Sequence, residues 1–167
     1  MLHLGSRSDY DKMGKFYNKW YFKKCKSYKT LDIEANVDFI QDITNTKSLK
    51  DNTFDAILCT WVLEHIKSVD NAINEIVRIL KPGGTFFFSV PTTLGFHGYP
   101  HDYWRYRGQD IFLLLKDLTI IKLHSVGTIK IVKDIKQIDK KLKWYSSTKN
   151  ESSTQPDGWV GIAIKNF

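Results

Sequence analysis

FDAILCTWVLEHIKSVDNAINEIVRILKPGGTFFFSVP is the sequence of residues 54–91. It opens with the apolar run 54–59, which predicts a strand buried on both faces. Residues 69–80 follow as an amphipathic helix, because their apolar positions share one helical face and Ser68 suits its N-cap. Pro82-Gly83-Gly84 is predicted to stop that helix and to turn the chain into a further strand over 85–90. Strand, helix and strand in this order indicate two neighbouring parallel strands.

The same alternation extends to both sides of this stretch. It predicts strands over 1–4, 28–32, 37–40, 118–126 and 158–164, helices over 10–24 and 109–116, and a loop over 146–157. Repeated alternation favours an α/β fold with a mostly parallel sheet between two helical layers. The last two strands have no clear crossover helix between them, which suggests an antiparallel hairpin at one edge.

Composition is that of an ordinary globular protein, with 167 residues of which 42% are hydrophobic and 26% charged. This length predicts one domain, with a first half over 1–91 and the remaining segments over 92–167. No apolar run is long enough to span a bilayer, and the first residues do not resemble a signal peptide. The two cysteines, Cys25 and Cys59, form no pair motif, so a reducing cytoplasm is expected.

Two blocks carry a family resemblance. The segment from Phe54 to Ile66 resembles the fourth strand and following loop of class I S-adenosylmethionine-dependent methyltransferases, and the Ile76–Pro91 segment resembles their next helix, turn and fifth strand. The order and the separation of both blocks fit the type 11-like group. The resemblance implies a Rossmann-like doubly wound sheet, S-adenosylmethionine as cofactor and S-adenosylhomocysteine as product. The chain differs from the family in a shortened N-terminus and a first motif that keeps one glycine, Gly5.

The resemblance also implies a set of cofactor-binding residues. In the family, the glycine loop approaches the methionine part, an acid after the second strand binds the ribose, and a further acid meets the adenine amino group. Carried over by position, the implied residues are Gly5, Asp32, Ile33, Asp42, Ile43, Cys59 and Thr60. Alternatives stay open for three of them. Asp32 could be a helix cap with Glu34 as its rival, Asp42 could serve a turn, and Cys59 could be a small buried hydrophobe.

A run rich in histidine and aromatic residues follows the fifth strand. Its sequence over 91–106 resembles the His-Gly…Asp-Tyr-Trp-Arg segment of methyltransferases linked to glycan biosynthesis. His97 or His101 could act as general base, because imidazole titrates near neutrality. Tyr103, Trp104 and Arg105 could bind the acceptor. These side chains could instead pack the loop, and Arg105 could pair with an acid of its own segment.

These observations predict an enzyme that methylates an oxygen or nitrogen of a small molecule or glycan. The net charge of +7 leaves a nucleic-acid acceptor possible without favouring it, since no nucleic-acid motif accompanies the charge. The reduced first motif leaves open a non-catalytic binding module. No metal site is predicted at Glu64-His65, because Trp61 stands where related metal-binding groups carry an acid. The sequence does not indicate an oligomeric state.

Overall fold

The structure is a computed structural model that describes residues 1–6, 22, 24–96, 101–126 and 156–167. Seven strands and two α-helices make up the described part, with a 3₁₀ turn over Leu63–His65. In chain order they are β1 (Leu2–Leu4), β2 (Lys29–Asp32), β3 (Phe39–Ile40), β4 (Phe54–Thr60), α1 (Val69–Ile79), β5 (Leu80–Pro91), α2 (Gly108–Leu114), β6 (Leu118–Val126) and β7 (Gly158–Lys165). The predicted helix over 10–24 and most of the loop over 146–157 lie outside the described residues.

All seven strands form one sheet in the order β3-β2-β1-β4-β5-β7-β6. The first five are parallel, whereas β7 runs antiparallel to both of its neighbours. The predicted fold class is therefore confirmed, including the antiparallel carboxyl-terminal pair. Strand β7 lies between β5 and β6, so that β6 is the outermost strand at this edge of the sheet.

One face of the sheet carries much of the core. Leu4 of β1 lies opposite Cys59 of β4, which in turn lies opposite Phe88 of β5. Each of these side chains is at most 2% exposed. Phe88 stacks on Phe86 with 5.5 Å between ring centroids. Burial of each such side chain stabilises the fold by roughly 1.5–3 kcal/mol, which fixes the register of the strands.

The junction of α1 and β5 corrects the predicted helix boundary. The helix ends at Ile79, and Leu80 already has extended backbone and lies opposite Phe54 of β4. The next pairing joins Ala56 to Thr85, so β5 carries three more residues than β4 in this interval. Gly83 within it has φ +70°, a conformation that glycine adopts at little cost. The Pro-Gly-Gly turn is thus a bulge inside β5, and the helix has already stopped before it.

Candidate functional site

A cavity of about 530 Å³ lies at the carboxyl ends of the first four strands. Strand β1 has β2 on one side and β4 on the other, so the order of strands reverses at this point. Open parallel sheets bind ligands at such a reversal, because loops diverge there and leave a crevice. Its lining comes from the segments that follow β1, β2, β3 and β4, together with one residue of the 101–106 segment.

Gly5 forms the floor of the cavity directly after β1. Its φ is +65°, and its N–H donates to the Leu31 carbonyl at 2.9 Å. An ideal Cβ at this position would lie only 2.3 Å from Cγ2 of Val62, which also lines the cavity. A side chain is excluded by conformation and by space, so Gly5 lets the backbone close the turn beside the cavity.

Two acids and an isoleucine follow β2. Asp32 is only 8% exposed, yet it lines the cavity beside Ile33 and Glu34. Its Oδ1 accepts a hydrogen bond from the Glu34 N–H at 3.1 Å, a local turn rather than a helix cap. Ile33 is 60% exposed, so it offers an apolar surface to a ligand. Asp32 and Glu34, the two candidates for the acid after β2, therefore both line the cavity.

Asp42 and Ile43 bring a second acid and a second apolar side chain from the segment after β3. Asp42 is exposed, and its Oδ1 accepts two hydrogen bonds of 2.8 Å from the N–H and hydroxyl of Thr44. Ile43 is 7% exposed and lines the same cavity. Asp42 therefore serves the turn while it also lines the cavity, and the two interpretations of this residue are compatible.

Cys59 and Thr60, the last two predicted cofactor residues, do not line the cavity. Cys59 is fully buried in the main core cluster, and Thr60 is partly buried. Burial raises the pKa of the Cys59 thiol well above its ordinary value, and the nearby Glu64 carboxylate raises it further. From the sequence alone, a residue at the end of a strand that lines the cavity cannot be distinguished from one that is buried in the core.

Trp61 also lines the cavity, a position that the sequence analysis does not predict. It has φ +55°, which is rare for a bulky side chain. Its N–H donates to both the carbonyl and the hydroxyl of Ser89, each at 3.1 Å, and these bonds hold the backbone in this conformation. The indole is 37% exposed. No sequence pattern predicts a left-handed tryptophan.

The 3₁₀ turn after Trp61 is joined to the 101–106 segment by backbone hydrogen bonds. The Tyr103 and Trp104 N–H groups donate to the Glu64 carbonyl at 2.8 and 3.3 Å. The Trp104 indole nitrogen donates to the Ile66 carbonyl at 2.8 Å. The His65 Nδ1 lies 2.5 Å from the His101 carbonyl oxygen. The turn and the segment therefore form one wall, and Tyr103, 44% exposed, is the member of the segment that lines the cavity.

Arg105 makes its contacts inside its own segment. It forms an ion pair with the buried Asp102 carboxylate and donates to the carbonyls of Leu94 and Gly95 at 2.8 and 3.1 Å. The carboxylate is the main reason that the pKa of Arg105 is raised. Of the two predicted bases, His101 is exposed and its ring lies 5.6 Å from that of Tyr103. His97 lies outside the described residues.

Glu64 and His65 are neighbouring side chains of types that can bind metal ions. Glu64 is fully buried, with its Oε1 at 3.9 Å from the His65 Nε2. Within the described ranges, no group of three or more His, Cys, Asp or Glu side chains is placed to hold a metal ion. None of the helices in these ranges has the length and apolar character needed to cross a bilayer.

The groups that line the cavity fit S-adenosylmethionine. Gly5 places backbone without a side chain at the edge of the cavity. Asp32 and Glu34 could accept from ribose hydroxyls, Asp42 from the amino group of a base, and Ile33 and Ile43 could contact its faces. A volume of this size lies in the range of small-ligand sites, roughly 300–1,000 Å³.

Comparison with known proteins finds similarity to methyltransferases. Residues 19–88 match the sequence model of a family described as "Methyltransferase domain". The chain is 32% identical over 66 residues to a ubiquinone/menaquinone biosynthesis C-methyltransferase of Pasteurella multocida, an alignment that spans 38% of this chain and 25% of that enzyme. It is 43% identical over 44 residues to a thiol S-methyltransferase of Rattus norvegicus, spanning 26% of this chain and 18% of the relative. The matches thus span about a quarter or less of these relatives' lengths.

Solved structures share the whole fold. An N-methyltransferase of Bradyrhizobium japonicum, in complex with S-adenosyl-l-homocysteine, superposes with a TM-score of 0.61 and 16% identity. The match covers 98% of this chain and 76% of that one. At this identity the likeness establishes the architecture alone.

Proposed function

We propose that the chain is a class I methyltransferase and that it binds S-adenosylmethionine in the cavity after β1–β4, a proposal that the fold and the match of residues 19–88 support. It transfers the methyl group to an oxygen or nitrogen atom of a small molecule or glycan. The cytoplasm stays the expected compartment, which suits the free thiols of Cys25 and Cys59.

One observation carries this proposal. Gly5, Asp32 and Asp42 come from three separate segments of the chain, and all three line one cavity. In the proposed complex, Gly5 admits the methionine part, Asp32 accepts from the ribose hydroxyls and Asp42 accepts from the adenine amino group. Charged acceptors make strong hydrogen bonds, particularly at a site as shielded as Asp32. Cys59 and Thr60 remain predictions without such support, because neither lines the cavity.

Residues at the cavity would hold S-adenosylmethionine, which would supply an electrophilic methyl group when bound. The chain must therefore place the acceptor in line and remove its proton. Placement supplies most of the rate enhancement in such reactions. Tyr103 is the acceptor-side residue with the strongest support, since it alone of the 101–106 segment lines the cavity. His101, beside Tyr103, and His97 remain the proposed general bases.

The acceptor atom needs a broad test. The two curated relatives are named as a C-methyltransferase and a thiol S-methyltransferase, and the structural relative as an N-methyltransferase. A screen should therefore present oxygen, nitrogen, sulfur and carbon acceptors, with RNA and DNA included to test the nucleic-acid alternative. Product formation would be followed as release of S-adenosylhomocysteine.

Titration calorimetry with S-adenosylhomocysteine tests cofactor binding directly. Asp32→Asn keeps an oxygen that can accept the Glu34 N–H but removes the charge, so affinity should fall by about tenfold or more. Asp55→Asn is the matched control, because Asp55 is an exposed acid paired with Lys81 and does not line the cavity. No heat from the wild-type chain at millimolar ligand would reject the proposal. Equal affinities of Asp32→Asn and wild type would reject the role of Asp32.

A further inference from the structure

Arg78 does not line the cavity, but it binds the loop that follows β3, and the first residues of this loop do line it. This side chain lies on α1 and donates to Glu75 from Nε at 2.9 Å and from Nη2 at 2.8 Å. The same guanidinium donates to the carbonyls of Thr46 and Leu49 at 2.9 and 2.8 Å, and to Asp51 at 2.6 Å. A planar fork with five N–H donors can satisfy this set, whereas a lysine ammonium cannot.

Glu75 binds the same loop directly. Its Oε2 accepts from the Thr46 N–H at 2.7 Å and from the Thr46 hydroxyl at 2.5 Å. Thr46 is completely buried. The loop thus has its backbone and its side chain fixed to one turn of α1, at a point 29 residues away in sequence.

The loop fixed in this way forms the base-side wall of the cavity, which consists of Gln41, Asp42, Ile43 and Thr44. Gln41 joins the two ends of the loop, because its amide nitrogen donates to the Ser48 hydroxyl at 2.6 Å. Its backbone N–H donates to the Asp32 carbonyl at 2.9 Å. The base-side wall is therefore connected to the ribose side by Gln41 and to α1 by Thr46.

We propose that Arg78 and Glu75 are positioning residues that hold the base-side wall in place and so determine selectivity for the adenine base. Neither side chain lines the cavity, so both act through Thr46 on Asp42 and Ile43. This inference rests on the proposed function. It extends that function from binding of the cofactor to recognition of its 6-amino group, which requires Asp42 at a fixed place.

The test compares S-adenosylhomocysteine with S-inosylhomocysteine, in which a carbonyl replaces the amino group of the base. Wild type should bind the adenine ligand about tenfold more tightly, since the carbonyl cannot donate to Asp42. Arg78→Lys should weaken binding of the adenine ligand about fivefold to tenfold and reduce the ratio of the two affinities toward one. Glu75→Gln should reduce the ratio in the same direction. A general loss of stability would weaken both ligands alike and leave the ratio unchanged.

Arg107→Lys is the matched control, because Arg107 pairs with Asp110 three residues away, is exposed, and does not line the cavity. It should keep the wild-type ratio. If Arg78→Lys does not fold, Thr46→Val decides. It removes only the hydroxyl, which donates to Glu75 and accepts from Arg78 at 3.1 Å, and it should lower the ratio about twofold to threefold. A wild-type ratio in a folded Arg78→Lys or in Thr46→Val, or a wild type that does not distinguish the ligands, would overturn the inference while the proposed function stands. A wild type that binds neither ligand would overturn both.

Discussion

Gly5 and Val62 meet so closely that the backbone of one occupies the space beside the side chain of the other. An ideal Cβ on Gly5 would lie 2.3 Å from Val62 Cγ2 and 2.8 Å from Cγ1. Real contacts of this kind do not occur, so any larger residue must displace the segment after β4. Because Gly5 also has φ +65°, substitution adds backbone strain to the steric conflict.

We therefore expect Gly5→Ala to lower the free energy of unfolding by about 2–4 kcal/mol and to lower the affinity for S-adenosylhomocysteine by about tenfold or more. Urea denaturation and calorimetry measure the two effects. Gly95→Ala is the control, since a Cβ there would meet no atom within 4 Å. A Gly5→Ala protein with wild-type stability and affinity would show that the turn after β1 can move freely, contrary to its packing against Val62.

Ser89 holds Trp61 in its left-handed conformation through two acceptors on one N–H. Ser89→Ala removes the hydroxyl acceptor but leaves the carbonyl at 3.1 Å, so only part of the interaction is lost. We expect a loss of about 0.5–1.5 kcal/mol in unfolding free energy, together with weaker ligand binding as Trp61 shifts. Urea denaturation of the variant measures the first effect.

Ser68→Ala provides the contrast. Ser68 occupies the N-cap position of α1, as the sequence predicts, but its side chain makes no capping hydrogen bond. Its replacement should therefore cost less than the ~1 kcal/mol typical of a capping serine. A larger loss for Ser68→Ala than for Ser89→Ala would contradict the hydrogen bonds on which this comparison depends.

The sequence predicts those parts of the fold that depend on local periodicity. Strand β6 has the predicted bounds, Leu118–Val126, and α1 begins at the predicted Val69. In both, apolar positions recur with the period of the element, and burial of the repeated face enforces it. Insertion of β7 between β5 and β6 was not predictable, because periodicity carries no information about which strands pair.

The residues of the cavity also differ in how far the sequence predicts them. The family resemblance implies Gly5, Asp32 and Asp42 as cofactor-binding residues, and the structure brings all three to one cavity. The hydrogen bonds between Thr46 and Glu75 are not predicted, because they join a loop to a helix 29 residues away and leave no local sequence pattern. Trp104 and Arg105 were expected to face an acceptor. Within the described residues, both side chains instead donate hydrogen bonds to backbone carbonyls of the chain itself, an alternative that the sequence left open.

Trp104 joins the 101–106 segment to the residue that follows the 3₁₀ turn, because its indole nitrogen donates to the Ile66 carbonyl. Trp104→Phe keeps most of the ring but removes the 2.8 Å bond to the Ile66 carbonyl. We expect a loss of about 0.5–1.5 kcal/mol, or a few degrees in Tm by thermal denaturation. Tyr103→Phe is the control, because the Tyr103 hydroxyl makes no hydrogen bond within the described ranges. Equal Tm values for Trp104→Phe and wild type would exclude an anchoring role for the indole.

Glu75 should make stability depend on pH in the acid range. Hydrogen bonds from Arg78 are the main reason that its pKa falls from 4.5 to about 2. A carboxyl with a lowered folded-state pKa contributes stability above its unfolded pKa, and this contribution is lost as pH falls from about 4.5 to about 2. Because the pair is partly exposed, we expect about 1 kcal/mol. Urea denaturation at pH 6 and pH 3 should show a smaller difference for Glu75→Gln than for wild type, and equal differences would contradict the prediction.

The two cysteines should differ in reactivity. Cys25 is exposed, whereas Cys59 is fully buried, and burial together with Glu64 raises the pKa of its thiol. Since the thiolate is the reactive species, the native chain should label at Cys25 alone between pH 7 and pH 9, and at both positions in urea. Mass spectrometry after iodoacetamide treatment measures this, with Cys25→Ser as the control that should stay unlabelled until unfolded. Rapid native labelling of Cys59 that S-adenosylhomocysteine suppresses would instead place this thiol at the cavity, as the family resemblance implies.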